Sequence, residues 1–300
     1  MKQILTAMLC IVGMVNVFAC DVCGGVGSMS GIGFLPNSDF HFIGLTYRTR
    51  TYTTEHPKLF ASEATVTGNN TFQTAELFGR YAATDRIQLL AFLPVHSKNI
   101  TDTEKTYRIS GVGDASLMAN YVLVKKSNLR WLLGSGVKFP TGEYSKKVNE
   151  QLIPNLQSGT GSYDVLFTSN FTCLKNNFGL NMETNYSLTS ANKFDYKYGN
   201  QLDATFTTFY KYKKGKQMFV PQISLNYAQT AKDVIDVDQN LLEKYSGASL
   251  LSLPLGLDIY RGNLVLRLNY KIPLRANLSE GYVIPKVNCQ AQILYIINKK

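Results

Sequence analysis

Three sets of residues in this 300-residue chain have the types and spacing to do chemistry. Cys20 and Cys23 form a C-x-x-C. Two thiolates at that spacing suit a soft metal such as Cu(I). No second cysteine pair or neighbouring histidine completes a zinc site, and Gly24 stands where a haem-attaching C-x-x-C-H needs histidine. A local disulfide, the default in an oxidising compartment, a lipid anchor and metal capture therefore stay open for Cys20 and Cys23. The second set is the histidines, His41, His56 and His96. They are scattered, and no G-x-S-x-G elbow accompanies them. Phosphate loops, dinucleotide fingerprints and EF-hands are also missing, so neither an enzyme nor a cofactor is expected. The third set is charged: Arg48, Glu76, Arg80, Asp114, Lys138, Asp164, Glu183 and Arg267, joined by Arg50, Asp203, Lys211, Asp258 and Lys271. Each alternates with apolar neighbours. Carboxylates, guanidinium groups and amines facing one another across a narrow bore can select solutes. The first eight are the candidates for a constriction.

Such residues need elements to hold them. The chain opens with Met1-Lys2-Gln3, an apolar stretch from Ile4 to Phe18, and Val17-Phe18-Ala19 at small-residue cleavage positions. That is the pattern of a secretory signal over 1–19. Cys20, the first residue after the cut, is placed either for simple processing or for lipidation. Beyond residue 19 no apolar run is long enough for a membrane helix. The net charge of +10 would suit nucleic acid. Export argues against that partner, and many lysines fall in turns, as Lys125, Lys126, Lys213, Lys214 and Lys216 do. Solvent or lipid headgroups account for them.

The elements are strands. Phe178, Leu180, Met182, Tyr186 and Leu188 share one face of a period-2 segment, and Gly179, Asn181, Glu183, Asn185 and Ser187 share the other. Twelve such segments are read at roughly 39–50, 72–83, 86–97, 109–124, 129–140, 160–174, 178–189, 198–212, 217–229, 247–259, 264–274 and 286–297. They run about 10–14 residues, nearer the ~9–11 that cross a membrane with tilt than the ~5–6 of soluble proteins. Short turns follow the even-numbered strands and longer loops the odd-numbered ones. The fold class expected is all-β, a 12-stranded antiparallel transmembrane β-barrel with short periplasmic turns and longer extracellular loops. Both termini then lie in the periplasm of an outer membrane. Ile43, Leu45 and Tyr47, Leu251, Leu253, Leu255 and Leu257, and Leu264, Leu266 and Leu268 are assigned to lipid, and Ser252 to the lumen. Tyr81, Tyr121, Trp131, Phe171, Phe178, Tyr212, Phe219 and Tyr295 read as an aromatic girdle at the short-turn end. Cys173 and Cys289 fall at opposite ends of the strands and are not expected to pair.

Ser110-Gly-Val-Gly-Asp-Ala-Ser-Leu117, Gly136-Val-Lys-Phe-Pro-Thr-Gly142 and Gly159-Thr-Gly-Ser-Tyr-Asp164 together resemble the outer-membrane proteins named for the meta-pathway of phenol degradation. Cys20-Asp-Val-Cys-Gly-Gly25 resembles the start of such barrels from Bacteroidetes. The resemblance implies a transporter-like barrel, distantly similar to the long-chain fatty-acid channel. It also implies that residues 20–38 enter the lumen as a plug below the barrel of 39–297.

The function expected is a channel or facilitator for small solutes, apolar or aromatic ones included. A non-conducting scaffold, lipoprotein-anchored or metal-linked through Cys20 and Cys23, is the alternative. Asp114, Lys138 and Asp164 read either as a salt-bridge lattice or as a selective constriction. Phe78, Leu90, Phe92, Met118 and Leu132 read either as filling for a narrow bore or as a greasy path. Partners are outer-membrane lipids, the assembly machinery during insertion and the solute. Tyr295 is expected to serve as the terminal aromatic that this machinery reads, with residues 298–300 trailing beyond it.

Overall fold

A computed structural model describes residues 40–55, 67–101, 106–148, 151–152, 156–235 and 246–298. The expected signal sequence and plug, Cys20, Cys23 and His56 lie outside these residues.

Twelve strands form the wall: β1 (Phe40–Glu55), β2 (Thr67–Ala82), β3 (Ile87–Thr101), β4 (Ser116–Lys125), β5 (Leu129–Lys138), β6 (Asp164–Lys175), β7 (Phe178–Leu188), β8 (Gln201–Tyr210), β9 (Gln217–Thr230), β10 (Ala248–Arg261), β11 (Leu264–Leu278) and β12 (Val283–Asn298). Each pairs antiparallel with its chain neighbour, and β1 pairs with β12 to close the ring. Closure matters because an open edge in lipid leaves backbone groups with no partner.

The two faces follow from the period-2 pattern. On β7, Gly179, Asn181, Glu183, Asn185 and Ser187 are buried inside, while Phe178, Met182, Tyr186 and Leu188 are exposed outside. The outer face is a band of apolar residues bounded by aromatics. Tyr81, Tyr121, Trp131, Phe171, Phe178, Tyr212 and Tyr295 are exposed near the short turns, and Tyr47, Tyr186, Tyr227 and Tyr270 are exposed nearer the long loops. Phe178 and Tyr186 are eight residues apart. At ~3.3 Å per residue and a tilt of ~40°, that gives about 20 Å of height, close to the ~25 Å apolar band of such barrels.

Short connections occupy 83–86, 126–128, 176–177, 211–216 and 262–263, the fourth carrying a three-residue strand, Tyr212–Lys214, that pairs with Gln217–Phe219 before the turn at 215–216. Asn176, Gly215 and Gly262 take the positive φ that tight hairpins demand, at 55°, 58° and 58°. At the other end the sequence reading needs correction. Strand four is interrupted at 113–115, where Gly113 donates back to Pro94, and Thr106–Val112 form a separate short strand paired only with β3. Strand six begins at Asp164, because Thr160 to Tyr163 belong to the preceding loop. Strand eight begins at Gln201. The connection after β11 is a short turn spanning 279–282, because β11 and β12 extend outward to meet at Leu278 and Val283. Asn298 pairs with Phe40 and so belongs to β12 rather than trailing from it.

One seam is incomplete. β11 and β12 pair from Leu264↔Tyr295 to Tyr270↔Cys289 and again only at Leu278↔Val283. Between these points lie Pro273 and Pro285, which keep their register with Ser252 and Tyr52 on the other side of each strand but, as prolines, cannot donate to a ladder.

Candidate functional site

The lumen is lined by three sets of side chains at different heights. Near the short turns, Phe40, Phe42, Val265 and Leu294 pack together with Phe78. Arg80 lies 4.7 Å from the ring centroids of both Phe40 and Phe42 and donates to the Phe40 carbonyl at 3.2 Å. From there an apolar stripe runs over four strands, Phe78 on β2, Leu90 and Phe92 on β3, Met118 on β4 and Leu166 on β6, passing Gly136 on β5. Phe78 stacks parallel to Phe92 at 6.3 Å. Two inward glycines make room for it: a Cβ on Gly44 would sit 2.5 Å from the Phe78 ring, and one on Gly136 would sit 2.5 Å from Met118 Cγ. Phe42 is the third residue of β1 counted from the short-turn end, and Leu166 is the third of β6 counted from the long-loop end. Because barrel strands tilt, a row that crosses them climbs. The stripe therefore ascends the wall.

The opposite wall is polar. Asn181 donates to Asn170 at 2.9 Å and to Thr172 at 2.8 Å, while Asn170 and Asn185 each donate to Glu183 at 3.0 Å. Asn226 donates to Asp203 at 3.1 Å and to Thr205 at 2.8 Å, and it accepts from Ser252 and Lys271. Arg267 makes a bidentate pair with Asp258, Nε to Oδ1 at 2.8 Å and Nη2 to Oδ2 at 2.7 Å. Gln222 also donates to that carboxylate, and Gln292 links Arg267 to Thr46. Side-chain oxygens of Asn120, Asn181, Asn185 and Asn269 are buried with no protein partner.

Charge spans the bore between the two walls. Arg48 feels Arg50 beside it, Glu76 on the adjoining strand and Asp203 on β8, five strands away round the ring. Lys271 feels Asp203, Glu183, Arg48 and Arg50. The belt thus holds Arg48, Arg50 and Lys271 against Glu76, Glu183 and Asp203. Arg48 also donates to Gln290 at 3.3 Å.

The third set closes part of the long-loop end. Residues 156–159 and Ser162, in the connection between β5 and β6, are buried. Lys98, an inward residue of β3, donates to the Gln157 carbonyl, and Gln157 brackets Lys146 by accepting from its amide and donating to its carbonyl. Asp114 holds the segment hardest. Its carboxylate accepts from Gly142 N at 3.0 Å, Thr160 N at 2.8 Å and Thr160 Oγ1 at 2.6 Å. Lys138 Nζ lies 3.5 Å from Asp114, 2.5 Å from Asp164 and 2.8 Å from Thr160 Oγ1. Ser162 donates to Asp164 at 2.9 Å.

All eight constriction candidates are inward, but they do not form one site. Asp114, Lys138 and Asp164 meet in the latch, where two acids share one lysine. Arg48, Glu76 and Glu183 belong to the belt, Arg80 to the aromatic base and Arg267 to its pair with Asp258. The loop partners Gln157, Ser158 and Thr160 were not singled out by sequence, although Gly159-Thr-Gly161 marks a tight approach: Gly159 passes so close to Gly142 that a Cβ would meet its backbone at 2.6 Å. The asparagines could have been found, since asparagine is disfavoured in strands yet recurs at inward positions. His41 accepts from the Ala82 amide at 3.1 Å near the short turns, while His96 lies 3.0 Å from Thr74 Oγ1 toward the other end. Cys173 and Cys289 are both free.

The chain matches the family described as MetA-pathway of phenol degradation over residues 44–240. It is similar in fold to an outer membrane channel from Pseudomonas putida F1, with a TM-score of 0.63 at 13% identity over 86% of this chain and 96% of that one. It is also similar to the beta domain of the Bordetella autotransporter BrkA, with a TM-score of 0.51 at 10% identity over 86% and 99% of the two chains. No curated protein matches it in sequence.

Proposed function

The chain belongs to the MetA-pathway of phenol degradation family, and from that premise we propose that it is an outer-membrane channel for small, weakly polar solutes, aromatic ones included. Its short turns and both chain termini face the periplasm. The observation that carries this is the ascending apolar stripe, Phe42 to Leu166, running beside a belt of balanced charge. Three cations against three anions give no net field to draw one sign of ion through. Phe78, Leu90, Phe92, Met118 and Leu166 are 2–5% exposed, so the stripe offers a ring apolar contact as its side chains turn aside, and the unpartnered asparagine oxygens accept from water or from a solute hydroxyl. A cavity lined by Arg80, Leu90, Met118, Leu132, Asn170 and Glu183 touches both the stripe and the polar wall. Twelve strands fall between the filled eight-stranded barrels and the open sixteen-stranded ones, so a narrow passage is expected.

The test is flux through the full-length protein in liposomes, with a small uncharged aromatic solute, beside planar-bilayer conductance. Low conductance and weak ion selectivity are expected. Phe92→Ala and Met118→Ala should change aromatic flux with little change in unfolding midpoint. No flux for the parent would favour the non-conducting scaffold. A large stability loss with unchanged flux would leave the stripe as packing.

A further inference from the structure

The five short turns and the strand ends beside them carry nine basic residues and one acid, Asp85. Arg86 lies in the first turn, Lys125 and Lys126 at the second, Lys175 at the third and Arg261 at the fifth; the fourth, 211–216, holds four lysines. All are exposed except Lys211, which is half-buried. Among the described residues the long-loop end is more mixed: Glu143, Asp195, Asp233 and Glu280 lie among its cations.

Two observations say what this ring faces. First, it sits just past the aromatic girdle. Tyr81, Tyr121, Trp131, Phe171, Phe178 and Tyr212 are outward and within a few residues of the same turns. Aromatics of this kind mark the border of the hydrocarbon, so the cations lie at the level of lipid phosphates. Second, the charge is spread over every turn. Neighbouring turns are two strands apart, about 10–13 Å round a tilted wall. A docked protein would touch a sector of that ring; a leaflet touches all of it.

We propose that this ring recruits anionic phospholipid headgroups into the lipid shell around the short-turn end. The inference rests on the membrane placement proposed above, but not on conduction. Clustered lysines and arginines at an interface attract acidic lipids and lose that attraction as salt screens them.

Trp131 makes the test direct. It is the single tryptophan of the chain, it is outward-facing at this end, and its Nε1 donates to Ser169 at 3.1 Å. The full-length protein is reconstituted in phosphatidylcholine liposomes containing brominated phosphatidylglycerol, or brominated phosphatidylcholine at the same mole fraction. The expected result is stronger quenching of Trp131 by the anionic lipid, reflecting a local preference on the order of tenfold. The preference should disappear in high salt. It should also disappear when Lys125, Lys126, Lys213, Lys214 and Lys216 are changed to Gln. Heat-modifiable migration checks that this variant folds, and the salt series on the unaltered protein stands if it does not. Equal quenching by the two lipids, or a preference that survives salt, would overturn the proposal. A preference retained by the folded variant would also overturn it. Binding of soluble polyglutamate without any lipid preference would assign the ring to an acidic protein instead, and the lipid proposal would fall. Aromatic flux, measured on the same liposomes, reports separately on the channel.

Discussion

Replacing Asp114 by Ala should release the loop segment at the long-loop end. Its carboxylate receives three hydrogen bonds, from Gly142 N, Thr160 N and Thr160 Oγ1, and lies 3.5 Å from Lys138. Hydrogen bonds to a charged group contribute about 1.5–3 kcal/mol each. They share one acceptor and are not additive, so about 4 kcal/mol is a working figure for the whole set. At ~1.4 kcal/mol per tenfold, the ratio of closed to open segment falls about a thousandfold. A segment that opens once in ten thousand would then be open roughly a tenth of the time. Lys138 keeps its 2.5 Å contact with Asp164 in the variant, so the wall itself should hold. The assay is single-channel recording on the full-length protein, with limited proteolysis to cut the exposed loop. Frequent openings to a higher conductance and cleavage within 139–163 are expected. Asp114→Asn, which keeps one acceptor, should fall between variant and parent. Recordings and cleavage rates indistinguishable from the parent would refute the latch, as would a collapse of the barrel into unfolded chain.

Other consequences can be measured on the same preparations. Arg267→Met should cost about 3–5 kcal/mol in urea unfolding, because it leaves Asp258 buried without its partner. Adding Asp258→Leu should recover most of that loss; a double variant as unstable as the sum of the singles would contradict the pairing. Ile223→Arg, on the lipid face, should lose about 2–4 kcal/mol. Its inward neighbour Gln222→Ala should lose no more than its hydrogen bond to Asp258, about 1.5 kcal/mol; a larger loss there than at Ile223 would invalidate the register. Burial pushes the Asp233 carboxyl up to about 6, against the lowering effect of the Tyr196 hydroxyl and Gly199 amide that donate to it. A raised carboxyl pKa gives stability that is full below its unfolded value and lost as pH rises through about 6. Amides of residues 196–200 and 231–235 should accordingly exchange more slowly at pH 5 than at pH 7.5, after correction for intrinsic rates, and Asp233→Asn should flatten the difference.

The sequence made the wall readable where one face meets lipid and the other does not. Phe178–Leu188 alternates with a single break at Thr184, and the segment read at 178–189 ends within one residue of β7. Readability faded toward the long loops. Apart from Tyr52, which packs inward on Phe72, Thr51 to Glu55 and Thr67 to Thr71 are polar on either side, so alternation carries little signal, yet both stretches continue as paired strands. At the interrupted fourth strand, the chain from Ser110 to Leu117 reads as one run because small residues fill it, hiding the shift of the inward face from odd positions before Gly113 to even positions from Asp114 on. Asp114, Lys138 and Asp164 were legible as a cluster from inward parity and sheet order. What they hold was not, since the loop from 139 to 163 has no periodicity to place Gln157 or Thr160. Ser252 shows a further limit. Parity puts it in the lumen correctly, but it is buried against Asn226, so an inward position is not a roomy one.

The seam between β1 and β12 has a consequence for synthesis. It joins residues far apart in the chain: Arg48 meets Gln290 and Thr46 meets Gln292, separations of 242 and 246 residues. Until β12 has been made, the growing sheet carries two bare edges, either of which can capture another copy. The loop that must close is almost the whole barrel, so the decisive contact comes late. A chain stalled anywhere before Val283 is therefore not a smaller barrel. It is an open sheet that must be kept apart from its own kind until its last sixteen-residue strand is complete.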